Sequence, residues 1–219
     1  MTSAGPSPAA WPVRPAPPDQ SALPIPPAAG TTWRPLQQNW QRPANESRPG
    51  WARIFWRADG LVFEWIFLGV PAGNRARRLN EPTWELGDVG EAFVQVDGRT
   101  DYGEFHVTPE NQRLQVWWPA GGLAELRAGA APLERFSLGP DAGLTSSAVV
   151  RGDHWAARLS VPARVLGLDR LGPDTILRAA VCRYDCGPGA TAVNSSTAPL
   201  RELSFHRPAE WDLLTLLPA

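Results

Sequence analysis

The residues best suited to ligand chemistry are concentrated in residues 84–109. This stretch contains the carboxylates Asp88, Glu91 and Glu104 and the imidazole of His106. Two carboxylates about 5–10 Å apart can serve as acid and base on a glycosidic bond. Carboxylates beside aromatic rings also suit a sugar or another small ligand with hydroxyl groups. The same mixture occurs on ordinary solvated faces of β-sheets, so the residue types alone leave the role of this stretch open.

The order of apolar and polar residues around these groups predicts a β-hairpin. Residues alternate between apolar and polar before Gly98 and again after Arg99, as strands with one buried face do. With Gly98 and Arg99 at the turn, Glu91 lies opposite His106. A slip of one residue would set apolar side chains against polar ones, whereas a longer turn that keeps the same faces together is still allowed. One face of the hairpin then carries the polar and aromatic side chains, which are Glu91, Phe93, Gln95, Tyr102, Glu104 and His106.

The remainder of the chain predicts an all-β protein with little helix. Strands are expected over residues 51–57, 61–68, 113–118, 144–150, 155–161, 176–184, 200–205 and 211–217. One short helix is expected over residues 123–127, and a helical turn follows Pro162. Trp117 and Trp118 are adjacent on a strand, so one should lie in the core and the other should face outward or into a cleft. The long polar loop over residues 70–81 is a candidate binding loop. Short strands separated by frequent turns are typical of an antiparallel β-sandwich.

The composition divides the chain into a leader and one domain. Residues 1–30 are rich in proline and alanine, which predicts a disordered or extended leader with little to bury. Residues 31–219 have the composition of a globular domain.

Several classes of function lack support in the sequence. The net charge of −1 gives no electrostatic attraction to nucleic acid or to an anionic membrane. The sequence contains no dinucleotide-binding GxGxxG motif, no P-loop, no HExxH zinc motif and no GxSxG motif of the α/β-hydrolases. No cofactor is therefore expected. The three histidines, His106, His154 and His206, are too scattered to predict a metal site. Cys182 and Cys186 would lie beyond disulfide reach on an extended strand, so we expect free thiols.

Three motifs together resemble the family 9 carbohydrate-binding modules, which belong to the wider group of DOMON-like sandwiches. The first runs from Trp84 through Asp88, Glu91 and Phe93. The second is YGEFHVTP at residues 102–109, and the third is FHRPAEW at residues 205–211. The resemblance covers residues 33–217 and implies a non-catalytic β-sandwich that binds a monosaccharide or oligosaccharide.

The resemblance also implies roles for individual residues. Trp84 would form one wall of an aromatic clamp on a sugar ring, with Phe205 in the place of the family's second clamp tryptophan. Glu91 would accept hydrogen bonds from sugar hydroxyls, and His106 stands where the family has an arginine donor. Cys182 falls near a polar amide contact of the family, and Glu104 lies on the same face of the hairpin.

The departures from the family pattern weaken the expected sugar site. One extra residue separates Trp84 from Asp88. Phenylalanine stacks less well than tryptophan, histidine lacks the bidentate fork of arginine, and cysteine replaces an amide. The family includes calcium-binding members, but no dense cluster of Asp and Asn predicts a calcium site here. Members of the family usually act in the periplasm or outside the cell, so the resemblance implies that location. The N-terminus has no secretory signal pattern, which instead predicts a cytoplasmic location.

Other readings remain open at this stage. A haem carrier would need a methionine ligand, and Met1 is the only methionine. An enzyme, or an accessory of a glycoside hydrolase, would use Glu91 or Glu104. A sandwich with a degenerate site would serve as a protein-interaction domain.

Overall fold

The protein is an all-β sandwich, as the sequence predicted. The computed structural model describes residues 10–16, 32–41, 48–69, 71–186 and 192–218. Its strands are β1 (Trp11–Pro15), β2 (Arg34–Pro35), β3 (Gly50–Arg57), β4 (Gly60–Leu68), β5 (Val89–Val96), β6 (Tyr102–Val107), β7 (Arg113–Trp118), β8 (Thr145–Arg151), β9 (His154–Pro162), β10 (Ile176–Asp185), β11 (Val193–Ser196) and β12 (Asp212–Leu216). Two short α-helices, α1 (Thr83–Leu86) and α2 (Gly122–Arg127), interrupt the strands. Four 3-10 turns cover Leu133–Arg135, Pro140–Ala142, Ala163–Leu166 and Pro208–Glu210.

The strands form two antiparallel layers that one strand joins. Sheet 1 has the order β7-β6-β5-β10-β12, and sheet 2 has the order β3-β4-β9-β8. Strand β1 lies between β12 and β3 and is parallel to both, so it links the two sheets along one edge. Strand β11 pairs with β10, and β2 pairs with β3.

The first hydrophobic core fills the space between the two sheets. Sheet 2 contributes large aromatic side chains, among them Trp65 and Trp155, which are completely buried. Sheet 1 contributes smaller side chains such as Ala92 and Val94. Gly90 lies directly against this core: a Cβ atom there would be 2.4 Å from the indole Nε1 of Trp65. A side chain at this position would therefore collide with Trp65, and glycine avoids the collision.

A second hydrophobic core covers the outer face of sheet 1. Phe93 of β5 and Trp118 of β7 pack there against Phe136 and Trp211, which lie outside the sheet. Strands β5 and β6 are consequently buried on both faces. The alternation of apolar and polar residues along β5 and β6 therefore does not separate a buried face from a solvated one. It separates an apolar buried face from a partly polar buried face.

Most predicted strands and helices are present, with five differences. The stretch 200–205 is not a strand: its backbone makes short-range bonds, such as Leu200 N–H to Ala198 O and Ser204 N–H to Glu202 O, at 2.9 and 2.8 Å. Backbone N–H groups that bond locally in tight turns are not available for the hydrogen bonds between neighbouring strands. Strands β2 and β11 and helix α1 were not predicted. One part of the predicted leader is built into the domain, because β1 buries Trp11 and Val13 in the first core. The rest of residues 1–30 lies outside the described residues, apart from Ala10 and Ala16.

Among the described residues, no helix is both long and apolar enough to span a bilayer. Both cysteines are free thiols, and Cys182 is buried.

Candidate functional site

A pocket of ≈ 310 Å³ opens on the outer face of sheet 1. Four side chains of the sheet contribute to it: Glu91, Glu104, Trp118 and Tyr184. The covering segments contribute Trp84 from α1, Arg127 from α2, and Phe205 and His206 from the chain before β12. Aromatic rings and buried carboxylates therefore face the same cavity.

The strand register explains why the two glutamates face this pocket. Glu91 of β5 lies opposite His106 of β6 on one side and Cys182 of β10 on the other. Glu104 precedes His106 by two residues and therefore points to the same face. The pairing of Glu91 with His106, predicted from the alternation, is confirmed.

His106 lies at the centre of a buried polar cluster below the pocket. Its Nε2 is 2.8 Å from Glu104 Oε1 and 3.4 Å from Glu91 Oε1. Its Nδ1 is 2.7 Å from the hydroxyl of Thr83, the first residue of α1. The second oxygen of Glu104 accepts a hydrogen bond from the Trp118 indole at 2.5 Å. Glu91, by contrast, accepts no hydrogen bond from any described residue, although its side chain is only 3 % exposed.

The protonation states in this cluster follow from burial and pairing. Burial raises the pKa of Glu91 to about 8, against the opposing charge of His106. Burial acts in the same direction on Glu104, but the hydrogen bond and charge of His106 outweigh it and hold the pKa below its ordinary value. Burial alone would lower the pKa of His106, whereas the two carboxylates raise it. The raised pKa of Glu91 favours its protonated form at neutral pH, whereas the lowered pKa of Glu104 and the raised pKa of His106 favour their ionised forms.

Trp84 owes its position to the loop that precedes it. The amide of Asn74 donates to the carbonyl oxygens of Thr83 and Asp88, at 2.8 and 3.1 Å, and so holds both ends of α1. The carboxylate of Asp88 accepts the backbone N–H of Gly73 at 3.0 Å. The candidate binding loop thus positions α1, and none of its described residues lines the pocket. Trp84 packs edge-on against the His106 ring, with 5.9 Å between centroids.

The opposite wall is held by aromatic packing. Phe205 stands perpendicular to Tyr184, with ring centroids 5.5 Å apart, and its remaining faces are mostly buried. The Nδ1 atom of His206 and the hydroxyl of Tyr102 share a hydrogen bond of 2.8 Å. Burial lowers the pKa of His206 against the charge of Glu104, so its imidazole is neutral at pH 7.

The structure brings four of the six sequence-predicted site residues to the pocket wall: Trp84, Glu91, Glu104 and Phe205. His106 and Cys182 are completely buried and do not line it. Cys182 lies one strand away from the cluster, with Sγ 3.4 Å from the hydroxyl of Ser196. His106 ends below the pocket, where its Nε2 contacts the two carboxylates.

Eight further residues of the wall were not predicted, and the polar or aromatic ones among them are Trp118, Tyr184, Arg127, Ser204 and His206. A signal existed for two of them. Trp118 is the member of the tryptophan pair that faces this cleft, while Trp117 packs against the first core. Tyr184 shares its strand face with Cys182. Nothing in the sequence indicates that Arg127 reaches the pocket, because α2 contacts it only through the tertiary fold.

One group of side chains has the spacing of metal ligands in the described part of the chain. Single ligand atoms of Glu91, Glu104 and His106 lie within 4.8 Å of one another. Calcium takes oxygen ligands, six to eight of them, so this set with its imidazole does not fit a calcium site.

Comparisons with known proteins agree on the fold. No protein-family model matches the chain, and no curated protein matches it in sequence. A solved structure named as a putative carbohydrate-binding protein from Bacteroides uniformis superimposes with a TM-score of 0.73 at 14% identity, over 96% of this chain and 100% of that one. A family 9 carbohydrate-binding module from Caldicellulosiruptor kristjanssonii in complex with cellotriose gives a TM-score of 0.61 at 10% identity, over 94% and 92% of the two chains. Its complex with glucose gives 0.62 at 10% identity, over 95% of each chain. The protein thus has the fold of family 9 carbohydrate-binding modules.

Proposed function

We propose that this protein is a non-catalytic carbohydrate-binding module that holds a monosaccharide or short oligosaccharide in the pocket on sheet 1. The observation that carries the proposal is the composition of the pocket wall, in which Trp84, Trp118 and Tyr184 share one cavity with Glu91 and Glu104. Aromatic rings suit the apolar faces of a sugar ring, and carboxyl groups suit its hydroxyls. The named ligands of the structural neighbours, cellotriose and glucose, belong to the same chemical class.

Glu91 would make the principal polar contact. It lies at the pocket wall without a hydrogen-bond donor among the described residues. A protonated carboxyl group can both donate and accept, so Glu91 can pair with a sugar hydroxyl in either direction. A bound hydroxyl would satisfy a buried polar group that is otherwise left without a full partner, which favours binding.

The arrangement of Glu104 argues for binding rather than hydrolysis. Both of its oxygens are engaged, one with His106 at 2.8 Å and the other with Trp118 at 2.5 Å. The second carboxylate of a glycosidase pair must attack the sugar or activate water, and neither oxygen of Glu104 is free of a partner for that role. A panel of chromogenic glycosides tests this point, and turnover above the level of Glu91→Gln would overturn the non-catalytic assignment.

Titration of tryptophan fluorescence or calorimetry with glucose, cellobiose, cellotriose, xylose and galactose tests binding. Trp84→Ala should weaken the affinity of the best ligand about tenfold, since an aromatic contact contributes roughly 0.5–1.5 kcal/mol beyond its buried area. Trp33→Ala is the matched control, because Trp33 is half-buried beneath Arg53 and lies outside the pocket wall. Binding of no sugar, or equal affinities for the two variants, would contradict the proposal.

A further inference from the structure

We propose that Glu91, Glu104 and His106 form a binding site for a divalent transition-metal ion of the zinc type at the base of the pocket. The proposal goes beyond saccharide binding and requires no sugar. The motivation is the geometry of the three ligand atoms. His106 Nε2 lies 2.8 Å from Glu104 Oε1 and 3.4 Å from Glu91 Oε1, and all three atoms fall within 4.8 Å of one another.

The two separations from His106 are close to the edge length of a tetrahedral site. Zinc binds imidazole nitrogen and carboxylate oxygen at about 2.0–2.2 Å, which places neighbouring ligand atoms roughly 3.4 Å apart. The distance between Glu91 and His106 already has this value, and the shorter contact to Glu104 would lengthen by a few tenths of an ångström once an ion replaces the shared proton. Three protein ligands and one open position are the usual arrangement when a zinc ion remains accessible to a small molecule.

The neighbours of the proposed ligands supply the outer contacts that orient metal ligands. Thr83 Oγ1 lies 2.7 Å from His106 Nδ1, and the Trp118 indole donates to the Glu104 oxygen that points away from the cluster, at 2.5 Å. A ligating histidine usually hydrogen-bonds through its other ring nitrogen, and ligating carboxylates are held in the same way. Two of the three groups are therefore already oriented, with Glu104 Oε1 and His106 Nε2 facing each other where an ion would replace the proton they share.

An independent observation concerns Glu91. Its side chain is 3 % exposed and reaches the pocket, yet no described residue donates a hydrogen bond to it. Burying a carboxylate without a full partner is unfavourable. An ion between Glu91 and His106 would provide that partner, and its two positive charges would balance the two carboxylates beside a neutral imidazole. The open coordination position would face the pocket, because Glu91 and Glu104 line its wall.

The test uses the untagged full chain after treatment with a chelator and removal of the chelator. Calorimetric titration with Zn²⁺ should give one saturable site, and Co²⁺ should produce the visible absorption of a four-coordinate ion. His106→Gln should abolish saturable binding of both ions. His154→Gln should bind like the wild type, because His154 pairs with Asp153 at 3.0 Å on the surface and lies outside the cluster.

Two further variants keep the test decisive if His106→Gln fails to fold. Glu91→Gln removes one charged ligand with little change of shape, and Thr83→Val removes only the outer contact to His106. We expect Thr83→Val to weaken Zn²⁺ binding about tenfold or more, in the range for outer contacts of metal ligands. Absence of Zn²⁺ uptake by the wild type, or unchanged affinity in Glu91→Gln and Thr83→Val, would overturn the proposal. Zinc uptake without sugar binding would support this site and overturn the proposed function alone.

Discussion

Replacement of Trp11 by alanine should destabilise the domain severely, even though the residue lies in a proline-rich N-terminal stretch. Trp11 is 2 % exposed and lies in the core between the sheets. Its strand pairs with β12 through Leu214 and continues to β3 through Arg14 and Phe55. The guanidinium of Arg34 stacks on its ring at 4.6 Å. Loss of the indole would therefore open a cavity at the strand that joins the two sheets.

The magnitude follows from the buried area. An aromatic side chain buries roughly 200 Å² on folding, which at about 25 cal/mol per Å² gives about 5 kcal/mol. Residual burial in the unfolded chain reduces this figure to about 3–4 kcal/mol. The cation–π contact with Arg34 adds about 0.5–1 kcal/mol, so the expected loss is about 4 kcal/mol, within the usual range for removal of a core aromatic.

Urea unfolding, followed by circular dichroism, measures this loss. Arg14→Ala is the matched control in the same strand, because the side chain of Arg14 is exposed. Its unfolding free energy should stay within about 0.5 kcal/mol of the wild type. A loss below about 1 kcal/mol for Trp11→Ala would refute the reasoning, because so small an effect is incompatible with a buried indole at the junction of the sheets.

Two other changes test the packing and the electrostatics of sheet 1. Gly90→Ala should lower the free energy of unfolding by about 1–3 kcal/mol, because the added Cβ would lie 2.4 Å from Trp65 Nε1. Gly172→Ala is the control and should be nearly neutral, because a Cβ there would meet open space. Equal effects of the two changes in urea unfolding would contradict the close contact. Burial raises the pKa of Glu91 to about 8, so the folded protein favours the protonated carboxyl group. In the unfolded chain this group has the ordinary pKa of a glutamate. The wild type therefore loses stability as the pH rises from that ordinary pKa to about 8. In chelator-containing buffer, the stability of Glu91→Gln relative to the wild type should grow between pH 5 and 8 by up to about 1.4 kcal/mol per pH unit and then level off. A pH-independent difference would refute the assigned burial of charge.

The hairpin was predictable because its information is local. The turn at Gly98 and the two-residue period of its strands specify which side chains share a face and which residues stand opposite each other. The pairing of Glu91 with His106 is one consequence. The same reasoning predicted the separation of Trp117 from Trp118 on opposite faces.

Local pattern failed where the chain follows long-range contacts. Residues 200–205 have strand-like composition but form tight turns over the outer face of sheet 1. Strand β1 lies in a proline-rich stretch, yet the open edges of β12 and β3 provide backbone partners on both sides. Neither outcome could be read from the segment itself, since both depend on what lies beside it after folding.

The sequence by itself determined the all-β architecture, the hairpin register and the placement of Glu91, Glu104 and His106 on one face. Periodicity suffices for these features because strand geometry sends alternate side chains to opposite faces. Only the tertiary structure decided that this face is buried, that His106 lies below the pocket rather than in its wall, and that Trp118, Tyr184, Arg127 and His206 belong to that wall. The covering segments come from distant parts of the chain, so their arrangement, and with it the exposure and pKa of each polar group, depends on packing that no local pattern encodes.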